Sequence, residues 1–248
     1  MIKSRIIPML LLKGGSIVKT VKFKDPRIVG DPVSTIRVFA NRMADELCIV
    51  DIGDNDKHNM ALLKNLASLA NMPLTIGGKI LSTDTAKRLY EIGADKLMLR
   101  SLIYDSPKKA REIANIYGRQ SVVFCLDYIN YDKKNISIYG KKNEEMGGSV
   151  LDVFSKAEEL GVGEIFLNNV SLEGTMSGYD LDLINNISSK SSIPIIASGG
   201  CGSLKNALDA FKAGANAISA GSLFYWIGES IITLKDYLKK NNINIRVK

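Results

Sequence analysis

The sequence predicts an α/β fold: a closed (β/α)8 (TIM) barrel built from two fused (βα)4 half-barrels, forming a single domain over residues 1–248. Three observations carry that prediction. Short, continuous apolar runs alternate with amphipathic helical patterns, as parallel strands covered by helices require. The alternation fills eight units in 248 residues, the usual size of such a barrel. The chain also repeats itself at an offset of about 120 residues. Residues 73–104 read PLTIGGKILSTDTAKRLYEIGADKLMLRSLIY, and residues 194–225 read PIIASGGCGSLKNALDAFKAGANAISAGSLFY. In each copy a Pro-led apolar strand runs into a glycine pair, Gly77-Gly78 or Gly199-Gly200. An amphipathic helix, Gly-Ala-Asp or Gly-Ala-Asn, a second apolar strand and Ser-Leu-x-Tyr follow.

The elements follow in order. The apolar run RIIPMLLL predicts a buried strand near 5–12; it is short, holds Pro8 and lacks a small-residue cleavage site, so it is not a signal peptide. Amphipathic stretches and apolar runs then alternate: helix 31–44, strand 46–51 (ELCIVD), helix 57–70, strand 73–77, helix 83–92, strand 95–99, helix 107–117 and strand 121–127 (SVVFCLD). The second half continues with helix 149–160, strand 164–169 (EIFLNN), helix 180–188, strand 194–198, helix 203–213, strand 216–220 and helix 229–240. Residues 46–51 mirror 164–169, and 5–12 mirror 119–127 more loosely, so the duplication spans both halves. Two insertions break the rhythm. Residues 14–30 read as a long basic loop with Lys19, Lys22 and Lys24; residues 128–140, around Lys133-Lys134-Asn135, read as a hairpin. Both follow strands and hang over the C-terminal face, where barrels of this kind keep their sites; loops this long are usually functional.

Composition narrows the function. A hydrophobic content of 46% supplies a core. The net charge of +7 and pI near 9.2 come from lysines spread over helices and the tail (Lys235, Lys239, Lys240, Arg246, Lys248) without interleaved aromatics. That pattern reads as solvated faces with a bias toward anionic substrates, not a nucleic-acid surface. Cys48, Cys125 and Cys201 form neither a metal spacing nor a disulfide framework and read as reduced thiols of a cytoplasmic protein. The single histidine, His58, all but excludes a Ser-His triad or a multi-histidine metal site and reads as solvent-facing. No metal, cofactor or membrane association is expected.

Backbone without Cβ atoms at a strand end is a ready anion site, and two such sites point to a ligand with a phosphate at each end. Asp127 ends the fifth predicted strand and is a general acid/base candidate, or a loop cap. Its half-barrel counterpart is Leu11, which moves no proton. Asp51 is a second polar candidate or a loop cap. Lys19 reaches a phosphate or stays solvated. Glu173-Gly174-Thr175 resembles a phosphate-adjacent turn. Arg100 clamps a phosphate or carboxylate, or fills the pocket. Strand alternation aligns Arg5, Ile7, Met9 and Leu11; Glu46, Cys48 and Val50; Lys96, Met98 and Arg100; and Glu164, Phe166 and Asn168. The charged first members predict a neutral quartet at the N-terminal mouth.

The order RIIP, KGGSIVK, GDP, DELCIVDI, the Gly-Gly strand, GADK, Asp127, EGTMSGYD (173–180) and ASGGCG covers nearly the whole chain. It resembles the cyclase subunit (HisF) family of imidazole glycerol phosphate synthase, the histidine-pathway barrel. The resemblance implies a two-phosphate substrate, a glutaminase subunit (HisH-like) on the N-terminal face and ammonia carried through the barrel. It implies phosphate contacts at Gly78, Ser101, Gly174, Gly200 and Ser222, an acid at Asp127 and an ammonia gate of Arg5, Glu46, Lys96 and Glu164. The departures are Leu11 for the first-strand catalytic Asp, Arg100 for an asparagine and Asn168-Asn169 for a threonine-serine pair. The LLLK of residues 10–13 resembles an offshoot found with surface-polysaccharide genes. That resemblance implies ammonia supply to a separate amidotransferase that builds acetamidino sugars. A true cyclase making imidazole glycerol phosphate and AICAR, and a non-catalytic ammonia-conducting scaffold, are the alternatives.

Overall fold

The computed structural model describes residues 3–55, 57–130, 136–139, 145–146 and 149–246. In chain order the first half comprises β1 (Arg5–Lys13), β2 (Ser16–Val21), β3 (Lys24–Gly30), α1 (Pro32–Asn41), β4 (Leu47–Asp51), α2 (Met60–Leu69), β5 (Leu74–Gly77), α3 (Thr83–Glu91), β6 (Lys96–Leu99), α4 (Ser101–Asp105) and α5 (Pro107–Tyr117). The second comprises β7 (Val122–Asn130), β8 (Ile136–Tyr139), β9 (Glu145–Met146), α6 (Val150–Leu160), β10 (Glu164–Asn169), α7 (Leu181–Ser188), β11 (Ile195–Ser198), α8 (Leu204–Lys212), β12 (Ala217–Ala220), α9 (Ser222–Tyr225) and α10 (Ile231–Lys240). Strands β1, β4, β5, β6, β7, β10, β11 and β12 pair in parallel in that order, and β12 returns to β1, closing an eight-stranded barrel. The helices start where side chains satisfy their first free N–H groups: Asp31, Asn59, Ser82, Asp180 and Ser203 each accept from a backbone N–H three residues on.

The strands are buried on both faces, which is why they read as continuous apolar runs. One face of each packs under the helices, as with Ile6, Leu10, Leu47 and Ile49. The other fills the barrel interior with Ile7, Cys48, Met98, Val123, Phe166 and Ile196. The inward set is the one the alternation predicts.

Four expectations change. The first insertion is an antiparallel hairpin of β2 and β3, with register shifts at Ile17/Val18 and Lys19/Val21, joined by a two-residue turn at Lys22 and Phe23 with φ +52° and +63°. Positive φ at both central residues matches strand twist, but such turns usually advertise themselves as Asn-Gly, so Lys-Phe hid it. The glycine pairs are one residue out of step. The two repeats align without a gap, so Gly78 matches Gly199 and Lys79 matches Gly200. Geometry agrees: Gly78 and Gly199 have φ +84° and +87°, and a Cβ on either would strike the carbonyl oxygen of Asp51 or Asn169, residues that end the mirrored strands. Third, both Ser-Leu-x-Tyr segments are short helices, α4 and α9. Fourth, Lys235 is buried against Asp45 at 2.6 Å and the Met43 carbonyl at 2.7 Å rather than solvated.

The second insertion pairs β7 with β8 in antiparallel register, as a hairpin should; Lys133-Lys134-Asn135, like Lys248, lies outside the described residues. No helix among the described residues is long and apolar enough to cross a membrane.

Gly78 supplies a stability prediction. Its added Cβ would sit 2.1 Å from backbone oxygen, so Gly78→Ala must shift two strand ends apart and hold a positive φ. The expected cost is about 2–4 kcal/mol. Gly14 has φ +58° but nothing within 4 Å, so Gly14→Ala should lose only its φ preference, about 1 kcal/mol. Urea titrations of the two variants, with equal losses, would show that backbone crowding at Gly78 is unimportant.

Candidate functional site

At the N-terminal mouth, β1, β4, β6 and β10 bring four charges into one ring. Arg5 Nη1 donates to Glu46 Oε2 at 2.8 Å and Nη2 to Glu164 Oε1 at 2.5 Å. Lys96 Nζ donates to Glu46 Oε2 and Glu164 Oε2, both at 2.9 Å. Thr75 Oγ1 adds a bond to Glu46 Oε1 at 2.7 Å. Two cations and two anions thus close a neutral ring. Above it lies the apolar layer of Ile7, Cys48, Met98, Val123 and Phe166.

Burial pushes the Glu164 carboxyl up, but Arg5 and Lys96 outweigh it and hold it below its ordinary value of 4.5. A depressed carboxyl stabilises the fold above the unfolded pKa and loses that contribution as pH falls through the folded one. Urea stability should therefore be flat down to about pH 5 and fall below it, and Glu164→Gln should flatten the fall. Identical acid limbs for both proteins would remove the ring from the account.

At the C-terminal end the barrel opens into a cavity of about 520 Å³, lined by Leu11, Lys13, Asp51, Asp54, Lys79, Arg100, Ser101 and Asp127 among others. Asp127 is buried at its floor. Its Oδ2 lies 3.2 Å from Arg100 Nε, and Asn168 Nδ2 donates to its Oδ1 at 2.7 Å. The adjacent Cys125 thiol is pushed well up, by burial first and the Asp127 charge second. Asp127 is therefore gripped by two of the four residues that depart from the resemblance, Arg100 and Asn168, and shares the cavity with another, Leu11.

Asp51 is also engaged. Lys79 Nζ lies 2.9 Å from Oδ1, which accepts from the Gly53 N–H, and His58 Nδ1 lies 3.2 Å from Oδ2. Burial raises its pKa, yet these partners bring it below the ordinary value. The expectation for His58 is overturned: its side chain is 2% exposed because it turns inward to Asp51. The remaining carboxylate lining the cavity, Asp54, pairs with Lys13 at 3.0 Å. Among the described residues, every carboxylate that lines the cavity faces a cation.

A smaller recess of about 40 Å³ opens beside it between Lys19, Glu173, Gly174, Gly200, Ser219 and Ser222. Lys19 is buried, not solvated, because β2 folds back over the barrel mouth, and burial lowers its pKa. Glu173 sits 3.8 Å from its ammonium and also accepts from Thr20 Oγ1 and the Phe23 N–H, tying the hairpin down. The expected anion-site residues therefore divide between two ends: Gly78 and Ser101 at the larger cavity, Gly174, Gly200 and Ser222 at the recess. Asn169 points elsewhere, donating to Asp180 at 3.4 Å. All three cysteines are buried free thiols. Among the described residues no group of His, Cys, Asp and Glu could hold a metal.

Residues 5–227 match the family model described as histidine biosynthesis protein. The chain belongs to that family. Within it the chain is HisF-like. It is 37% identical over 254 residues to the imidazole glycerol phosphate synthase subunit HisF of a Hydrogenobaculum species, covering all of both chains. It is 35% identical over 253 residues to the HisF subunit of Lactococcus lactis, covering 100% of this chain and 98% of that one. A Pseudomonas aeruginosa protein provisionally named subunit hisF2 is 36% identical over 250 residues, covering 99% and 100%.

For a histidine biosynthesis family member, the sequence reading missed Lys79, His58 and the Lys13–Asp54 pair. An ungapped alignment of the two repeats would have found Lys79, since it puts a lysine against a glycine. Nothing in the sequence signals that His58 turns inward.

Proposed function

We propose that the chain receives ammonia from a glutaminase subunit on the N-terminal face and delivers it at the cavity without closing an imidazole ring. The HisF relatives support the glutaminase, because their names place them in a synthase built of subunits. The single observation that carries the reading is the state of Asp127. A group that moves protons must present a free oxygen to the substrate. Asp127 instead has Oδ2 beside Arg100 and accepts from Asn168 on Oδ1, while its half-barrel counterpart is Leu11. Both of its oxygens are thus engaged within the protein, and no second carboxylate stands at the Leu11 position. Below it, the charge ring supports a filter at the entrance, and the apolar layer suits a small neutral molecule. The destination we propose is a separate amidotransferase forming acetamidino groups on a surface-polysaccharide sugar, for which the LLLK segment is the support.

The competing reading is the full cyclase, favoured by end-to-end identity with HisF proteins. One assay separates the two. Given ammonium and the family's ribulosyl substrate, the purified chain should form imidazole glycerol phosphate at about 10⁻² of an ordinary cyclase's rate or less, the usual consequence of losing a general acid. A rate within about tenfold of a cyclase would sink the proposal.

A further inference from the structure

The two ends of the cavity are not equivalent, and the difference bears on what binds there. Aligned repeat to repeat, Lys79 stands where the second half has Gly200, and Arg100 where it has Gly221. The first half thus carries two cationic side chains at the positions where the second carries bare backbone. Neither cation waits for a ligand. Lys79 lies 2.9 Å from Asp51 and Arg100 3.2 Å from Asp127, and both carboxylates are buried. Recruiting either cation to a phosphate would break an ion pair to a buried carboxylate, leaving Asp51 only His58 and the Gly53 N–H and Asp127 only Asn168, which is unfavourable.

The second end is built differently. Gly200 and Gly221 line the recess without side chains. Lys19 Nζ approaches so closely that a Cβ on Gly221 would lie 2.5 Å from it. Its carboxylate neighbour, Glu173, is 3.8 Å away and already serves Thr20 and Phe23. Burial disfavours the Lys19 ammonium, so an anion placed against it would be welcome. The Ser219 hydroxyl, 1% exposed, finds no hydrogen-bond partner among the described residues and lines the same recess. A buried hydroxyl of that kind calls for a partner from outside the chain, and a phosphate oxygen in the recess would supply one.

We infer that this chain takes a ligand with a single phosphate, a phosphomonoester, whose phosphate sits at the second half-barrel. Lys79 and Arg100 act as the specificity determinants that abolish the first phosphate end. The inference rests on the ammonia-delivery reading only for the identity of the site. The body of the ligand then lies in the larger cavity against Met9, Leu11, Val50 and Met98, an apolar wall facing three neutralised ion pairs.

The test compares straight-chain alkane monophosphates and α,ω-bisphosphates of equal length by calorimetric titration of the intact chain. Two anchored ends give an avidity gain of about 10²–10⁴ over one. The wild-type chain should bind the bisphosphate within about threefold of the monophosphate, well short of that gain. Lys19→Met should weaken the monophosphate by about tenfold or more, the loss of one charge-assisted contact. Lys79→Gly with Arg100→Asn should recover at least about tenfold of avidity for the bisphosphate. A hundredfold preference of the wild-type chain for the bisphosphate would overturn the proposal (about the lower bound of the two-ended gain). So would failure of both compounds to bind, or a folded double variant with no gain. Should the double variant not fold, the wild-type ratio decides alone. These outcomes are independent of ammonia delivery, which fails or stands on glutamine coupling.

Discussion

On the ammonia-delivery proposal, replacing Lys96 by alanine leaves the barrel folded and disconnects it from the proposed ammonia source. In complex with a glutaminase, Lys96→Ala should hydrolyse glutamine while glutamine-driven product falls by about tenfold or more, within the ordinary range for coupling between distant sites. Product driven by free ammonium salts should change far less, because that ammonia need not cross the floor. The fold survives because both carboxylates that Lys96 leaves keep Arg5, and the buried Glu46 keeps Thr75 as well. Arg5→Ala should behave alike, since Arg5 is 22% exposed. Glu46 differs. It is 3% exposed and receives Arg5, Lys96 and Thr75 at once. Glu46→Ala takes this acceptor from all three at once and leaves Arg5 and Lys96 to share Glu164, so it should lower urea stability more than Lys96→Ala does. Equal losses with glutamine and with ammonium in Lys96→Ala would reduce the ring to a structural brace.

How far the sequence reached can be argued from the same residues. The ring was legible because strand alternation is a strict period of two: once Ile7, Cys48, Met98 and Phe166 face inward, Arg5, Glu46, Lys96 and Glu164 must follow one step earlier. The barrel itself was legible from the eightfold alternation of apolar runs and helical patterns. The cavity was less so. Arg100 and Asp127 were each singled out, but their pairing depends on the register of neighbouring strands, set by Leu99 standing opposite Phe124. No pattern within either strand reports that register. His58 was misread because a lone histidine carries no sign of the carboxylate it will meet, seven residues back on another element. The one-residue slip in the glycine pairs came from matching residue types before aligning helix caps; Ser82 and Ser203, which cap α3 and α8, fix the offset.

The last expected result concerns the missing proton transfer. Leu11→Asp alone should yield little imidazole glycerol phosphate, although it returns a carboxylate to the position opposite Asp127. Leu11 and Arg100 line the same cavity, so the new carboxylate would meet a guanidinium already paired with Asp127. Carboxylates directed at a guanidinium are not directed at the substrate. Adding Arg100→Asn removes that cation and frees both carboxylates to face the substrate. The double variant should therefore exceed Leu11→Asp by about 10² in rate, within the 10²–10⁴ that general acid–base catalysis supplies. Asn168→Thr should add further by releasing the second grip on Asp127, a hydrogen bond of 2.7 Å. Leu11→Asp reaching the double variant's rate without Arg100→Asn would mean that Arg100 never restrained Asp127, and the ion pair would then be incidental to the proposed loss of cyclase chemistry.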